Sequence, residues 1–347
     1  MPATPLLVEA LRGSAVESLH HGSLAIMDAD GGVHTALGDI DRPVFPRSAV
    51  KLLQALPLVA SGAAEALALT HEELALACAS HGGEPEHVRT AQAMLAKAGL
   101  DAGCLECGAH WPMQESAALA LASAGQQPNT LHNNCSGKHA GFACLAHRLA
   151  DQRELRGFFS GYVNAEHAVM QEVSAALQSS TGCDLRSAPM GIDGCSIPTF
   201  ALPLRALALA FARVATGQGL APAHQQAARR LRGAIAKAPQ MVAGSGHFDT
   251  LVMQALGERV CCKVGAEAVY CAALPERGLG VALKVDDGTS ARAAEVVMAA
   301  VIEALLPLDD APAALLHSLS QPVLKNWRGT VVGGLRPSAL LQQALAH

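Results

Sequence analysis

Ser48 stands three residues before Lys51 in "FPRSAVKLLQAL", at the start of an apolar run that predicts a helix. Residues i and i+3 share a helix face, so a hydroxyl and an amine can meet there. A serine hydroxyl attacks a carbonyl only when a neighbour takes its proton. A lysine does this as the free amine, a form that burial and a second nearby cation favour. The same spacing fits an ordinary helix start, with Ser48 as the cap and Lys51 on the surface. Two further segments bear on the choice. "CASHGG" places Ser80 at a helix end, ahead of glycines that let a ligand approach the backbone. "CCKVG" places Lys263 on a predicted strand, with Gly265 two residues on.

A second cluster is built on sulfur. "HNNCSGKHAG" crowds His132, Cys135, Lys138 and His139 into the junction of a polar loop and a helix. "GIDGCSIPTFALPL" sets Asp193 and Cys195 in a turn bounded by glycine and proline. Two thiolates from separate loops can share a zinc ion. Spacing alone points to His139 or His132 as a third ligand. The alternative is that both cysteines are buried and His139 packs its helix. "CLEC" gives Cys104 and Cys107 redox or half-zinc spacing, but no second pair and no βαβ context accompany it, so it reads as structural. "AGSGHFDT" has no strand before it and no Gly-Lys-Ser/Thr after it, which argues against a phosphate cradle. It predicts a substrate-facing turn, with Asp249 capping the next helix.

The elements that must hold these residues follow from the hydrophobic period. Residues 15–37 alternate around "DADGG" and predict a strand hairpin. Helical patterns cover "FPRSAVKLLQALPLVASG", with Leu52, Leu53 and Leu56 on its apolar face, then "LTHEELALACAS" with a Thr70/Glu73 capping box, then a helix entered at Pro85. More follow over roughly 115–124, 138–149, 165–178, 203–216, 222–237 and 248–257. "RVCCKVGAEAVYCAALPERGLGVALKVDDG" predicts three short strands, and a helix over about 289–306 comes next. The expected fold is α/β. Strands from both ends meet in one mainly antiparallel sheet flanked by helices, with a helical lobe inserted. The expected organisation is a single domain over 1–347. Its sheet part covers about 8–45 and 255–335, and its mostly helical part about 46–254.

Composition narrows the function classes. The chain of 347 residues is 50% hydrophobic but only 3% aromatic, which suits helices packed through small residues. A net charge of −5 and the lack of any basic run argue against nucleic acid. "ALPLRALALAFARVA" carries arginines at helical spacing and fits a buried helix better than a membrane span. "MPATPLLVEALRG" lacks the pattern of a signal peptide, so a cytoplasmic location is expected. Ten cysteines then read mostly as small buried hydrophobes.

The serine-lysine helix start, the second serine and the late Lys-x-Gly strand resemble the three active-site boxes of penicillin-recognising serine hydrolases and serine-dependent glutaminases. "SHG" departs from that pattern, because no asparagine stands two positions after the serine. Taken together, "FPRSAVKLLQALPLV", "CASHGGEPEHV", "HNNCSGKHAGF", "GIDGCSIPTFALPL", "AGSGHFDT" and "KVGAEAVYCAAL" resemble the signature blocks of the bacterial asparaginase II family of the Rhizobium etli type, from about residue 8 to residue 335. The resemblance implies hydrolysis of L-asparagine to L-aspartate and ammonia, on a serine β-lactamase/glutaminase-like fold. It implies two serine-lysine pairs, Ser48 with Lys51 and Ser80 with Lys263. It also implies a zinc ion held by Cys135, Lys138 and Cys195, and a homodimer. Arg47, His81, His139, Asp193 and Gly244 fall in the matched blocks as expected substrate contacts. Rival expectations are a glutaminase, a β-lactam or peptide hydrolase on the same scaffold, and a non-catalytic zinc or thiol protein built on the cysteines.

Overall fold

The computed structural model describes residues 4–346. The chain forms two compact units: residues 1–49, 201–218 and 262–347 make one, and residues 50–200 and 219–261 the other.

The first unit is built on a curled, eight-stranded sheet. The strand order is Val323–Lys325, Val331–Pro337, Leu6–Arg12, Ala15–Asp28, Leu279–Val285, Val269–Leu274 and Cys261–Val264, with Val33–Leu37 also paired to Ala15–Asp28. The pairings from Val323–Lys325 through to Val269–Leu274 are antiparallel. Strands from the two ends of the chain therefore meet in one antiparallel sheet, as the alternating patterns predict. The hairpin turn has a local cause: Asp28 Oδ1 accepts the N–H groups of Asp30 and Gly32 at 2.9 and 2.8 Å, and Gly31 takes φ 91°. Three strands of this sheet lie outside the expectation, at Leu6–Arg12, Val323–Lys325 and Val331–Pro337, as do the helices Asp310–Ser320 and Ala339–Leu345. The long helix expected over 289–306 opens with a π turn, Ser290–Ala294, before the α-helix Glu295–Leu305.

The helix Leu204–Thr216 lies on this sheet because one strand position has no side chain. A Cβ at Gly280 would run into Ala208 O and Ala212 N of the helix, and would lie 2.7 Å from the Phe211 carbonyl carbon. Ala208, Phe211 and Ala212 are fully buried at that contact.

The second unit is mostly helical. Its central helix, Lys51–Ala60, is buried from Lys51 to Val59. The Thr70/Glu73 capping box forms as predicted and starts the helix His71–Ala77. Pro85 begins the helix Pro85–Lys97. Gly137 and Gly141, one turn apart on the helix Ser136–Ala150, face the His71–Ala77 helix. A Cβ at Gly137 would lie 2.5 Å from Leu76 O, and one at Gly141 would lie 3.1 Å from Ala77 Cβ. Two helices thus approach at backbone distance immediately before Ser80. Among the described residues, no helix is long and apolar enough to cross a membrane.

Gly280→Ala is expected to destabilise the protein by about 1–3 kcal/mol, because a buried methyl must push two backbones apart. A urea midpoint equal to that of the parent would show that the helix is not seated on the strand in this way.

Candidate active site

Lys51 opens the central helix with its side chain 1% exposed. An ammonium has three protons to place, and each finds an acceptor. Lys51 Nζ donates to Ala79 O at 2.5 Å, Ser80 Oγ at 2.9 Å and Cys135 Sγ at 3.1 Å. Lys51 is therefore not a surface lysine. Ser48 does not cap this helix either. It sits in the 3₁₀ turn Arg47–Val50, and the capping position belongs to Val50, with no side-chain bond.

Ser80 is held from both sides. Its N–H donates to Val242 O at 2.8 Å, and the next N–H, of His81, donates to Asn134 O at 3.1 Å. The segment 80–87 also grips 240–246. His87 Nε2 donates to Gln240 O at 3.0 Å, while Glu84 accepts Ser245 N–H at 2.7 Å and Ser245 Oγ–H at 2.8 Å. Gly244, at φ 114°, fits there because a Cβ would lie 2.7 Å from Glu84 Oε1. Glu84 and His87 were not singled out from the sequence; Glu84 looks only like the residue ahead of a helix-starting proline. Asp249 does not cap the following helix. His247 occupies that position, and Asp249 lies inside the first turn.

His81 is fully buried, and its proton can be placed. Gly83 N–H donates to Nδ1 at 3.1 Å, so Nδ1 carries a lone pair and Nε2 carries the hydrogen. Nε2 then donates to Ser136 Oγ at 2.9 Å, and Ser136 passes its own proton to Leu131 O at 2.8 Å. Burial, and then the charges of His87 and Lys51, push His81 well below the usual histidine range. Burial does the same to His139, with Lys138 and Lys51 adding to it.

The sulfur cluster assembles from two loops. Asn133 Oδ1 accepts the Cys135 N–H at 2.8 Å, and Asn133 Nδ2 donates to Cys107 O at 2.8 Å, which fixes Cys135 at the head of its helix. Cys195 lies at the turn between the paired strands Met190–Ile192 and Pro198–Phe200. The turn is tied by Gly194 N–H to Asp193 Oδ1 at 2.7 Å, and Ser196 follows at φ 74°. Lys138 Nζ donates to Cys195 Sγ at 3.0 Å. The hydrogen bond from Cys195 holds the Cys135 thiol well below its usual range; burial opposes this, and Lys51 and Lys138 reinforce it. The same bond pushes Cys195 up. Burial alone would lower Lys138, but the charges on Cys195 and Cys135 overcome it and raise the amine.

Neither histidine suggested by spacing joins this cluster. His139 Nδ1 lies 2.6 Å from Tyr162 Oη, and Asn129 N–H donates to His132 Nδ1 at 3.1 Å. Among the described residues, no group of three or more His, Cys, Asp or Glu is arranged to hold a metal. The set that could hold one is Cys135, Cys195 and Lys138: two sulfurs and an amine, with Cys195 in contact with both of the others, chemically suited to zinc once the lysine gives up its proton.

In the sheet unit, Lys263 is 3% exposed and donates to Val264 O at 2.8 Å. Gly265, two residues on, lies against the turn that carries Ser48. A Cβ there would be 2.5 Å from Pro46 O and 3.1 Å from Ala49 N. Arg47, at the entry of this turn, takes φ 51°. The Lys-x-Gly strand and the Ser48 turn are thus neighbours, while Lys51, Ser80, Cys135, Lys138 and Cys195 form one connected group.

The family model for L-asparaginase II matches residues 8–337. The chain belongs to the L-asparaginase II family. The family is one of asparaginase-type amidohydrolases acting on a small-molecule amide. No curated protein matches the sequence. A crystal structure of Mglu in its native form in 4.3 M NaCl aligns with a TM-score of 0.35 and 15% identity, over 78% of this chain and 58% of that one. A second Mglu crystal structure aligns with a TM-score of 0.35 and 16% identity, over 79% of this chain and 64% of that one. The chain spans about three fifths of the length of these Mglu chains.

Two outcomes test the local structure. The unfolded His81 imidazole protonates near 6.5 whereas the folded one resists. The unfolded state therefore takes up the proton, and stability is present above that pH and lost as pH falls below it. Each such histidine is expected to cost up to about 1.4 kcal/mol per pH unit. A urea midpoint that stays constant from pH 7 to about 5 would refute the buried neutral ring. Glu84→Ala is expected to speed amide exchange at Ser245 about tenfold, as the turn loses its acceptor; unchanged protection would mean that Glu84 does not clamp it.

Proposed function

We propose that this protein is an L-asparagine amidohydrolase of the Rhizobium etli type that works through a serine ester and a lysine base. The observation that carries the reading is the buried Lys51 amine, 2.9 Å from Ser80 Oγ and 3.1 Å from Cys135 Sγ. A lysine placed against a serine in a water-poor setting is a base in waiting.

Ser48, three residues ahead of Lys51 in the chain, is the proposed nucleophile. Its oxygen attacks the side-chain amide carbon while Lys51 takes its proton. The tetrahedral intermediate collapses, the leaving nitrogen is protonated, and ammonia departs. Water then hydrolyses the aspartyl ester, with Lys51 again accepting a proton. Ser80 keeps the Lys51 amine in place and serves, with Lys263, as the proton route. Backbone N–H groups supply the oxyanion contacts. Arg47, His81, His139, Asp193 and Gly244 are the proposed surroundings of the substrate. Cys135, Lys138 and Cys195 are the proposed zinc ligands, and a zinc ion held there would orient the polar end of the amino acid. The scaffold in this reading is a single serine β-lactamase/glutaminase-like domain, acting as a cytoplasmic homodimer.

Ammonia release from asparagine and from glutamine tests the proposal. The parent is expected to prefer asparagine, and Lys51→Ala to lose about 10²–10⁴ in kcat. Because the base acts as the free amine, the rate should climb toward alkaline pH; a flat profile down to about pH 5 argues against a lysine. Mass spectrometry of quenched reactions should find an aspartyl ester on the Ser48 peptide. An ester on the Ser80 peptide would exchange the two serines, and full activity in both Ser48→Ala and Ser80→Ala would overturn the mechanism.

A further inference from the structure

His139 is fully buried, and one of its ring nitrogens has no hydrogen-bond partner among the described atoms. That nitrogen is Nε2. The other, Nδ1, lies 2.6 Å from Tyr162 Oη. Tyr162 is buried too, and its oxygen accepts the Glu106 N–H at 3.0 Å. A phenol has a single proton to donate. With Glu106 donating to the oxygen, the phenolic proton is free to go to Nδ1. A phenolic proton given to Nδ1 meets a lone pair there, and the hydrogen of the neutral ring then sits on Nε2.

The rings leave little freedom to rearrange. Tyr162 stacks on Phe159 with centroids 3.9 Å apart and planes 6° apart. It meets His139 edge-on at 5.5 Å and 76°, and Phe142 covers His139 at 5.5 Å. A buried N–H donor with no acceptor is costly, and folded proteins rarely keep one without a use. His139 follows Lys138 in the helix that Cys135 heads, so the donor lies close to buried positive charge. That setting suits an anionic oxygen.

We infer that Tyr162 is a positioning residue that fixes His139 as the Nε2–H tautomer, so that His139 presents one hydrogen-bond donor to a carboxylate oxygen of the amino-acid amide. The inference rests on the amidohydrolase reading for its ligand, though not for its tautomer.

The test uses protein labelled with ring ¹⁵N-histidine. Long-range ¹H–¹⁵N spectra of the parent should show His139 protonated at Nε2, and adding the product L-aspartate should shift that resonance. Tyr162→Phe removes the phenolic proton and should give a mixture of tautomers. In that variant KM should rise about tenfold with kcat little changed, the pattern of a lost contact made equally in the ground and transition states. His139→Gln, which keeps an N–H donor, should recover part of the KM that His139→Ala loses. A parent His139 protonated at Nδ1, or an Nε2 resonance unmoved by aspartate, overturns the inference, and neither measurement needs a variant to fold. A parent that hydrolyses no amide sinks the functional reading, while the tautomer in its spectrum still decides the role of Tyr162.

Discussion

A buried ammonium cannot be left unpaired, and Lys51 imposes that requirement on everything around it. Its three protons need three acceptors within reach of a helix start. The protein supplies them from separate stretches of chain: a carbonyl just past the end of the His71–Ala77 helix, the hydroxyl of Ser80, and the sulfur of Cys135. Each must be held by its own local structure. Ser80 is held by Val242 O, and Cys135 by Asn133. Satisfying one lysine therefore fixes the relative positions of the helix end, the glycine loop after it and the "CSGK" helix.

The sulfur cluster extends this network. Cys135 touches Lys51 on one side and shares a hydrogen bond with Cys195 on the other, and Cys195 in turn accepts from Lys138. Two buried lysines thus stand at the ends of one chain of contacts, with two buried thiols paired between them. The thiols separate the two amines, which as adjacent cations would repel in a dry interior. Cys135 is thus the residue common to the contacts of Lys51 and to the proposed zinc ligands.

Much of this was legible in the sequence, and for stated reasons. The hairpin at 15–37, the helix over Pro222–Lys237 and the capping box at Thr70 follow from period and from single residues whose conformations are restricted. The strand Leu6–Arg12 was not legible, because "LLVEALR" carries no clean alternation and one of its two partner strands, Val331–Pro337, lies more than 300 residues away. The residues with chemistry were found by type and order. Their pairing was not, because it is decided in three dimensions. Spacing suggested histidines beside the thiols, whereas His139 turns to Tyr162, and nothing in "GYVNAE" marks that tyrosine. Glu84 and His87 were hidden for the same reason, since their partners at 240–246 lie some 150 residues downstream.

Gly137 shows how such a site is kept in register. The atoms a methyl group would strike include the carbonyl oxygen and carbon of Leu76, which belong to the main chain. A main-chain collision cannot be relieved by trimming a neighbour, as a side-chain collision can. A side chain at position 137 therefore requires one helix backbone to move away from the other. Glu84 and Ser245, by contrast, could in principle drift together to another donor and acceptor. The alignment of the "CSGK" helix on the serine segment is thus held by a volume that has to stay empty.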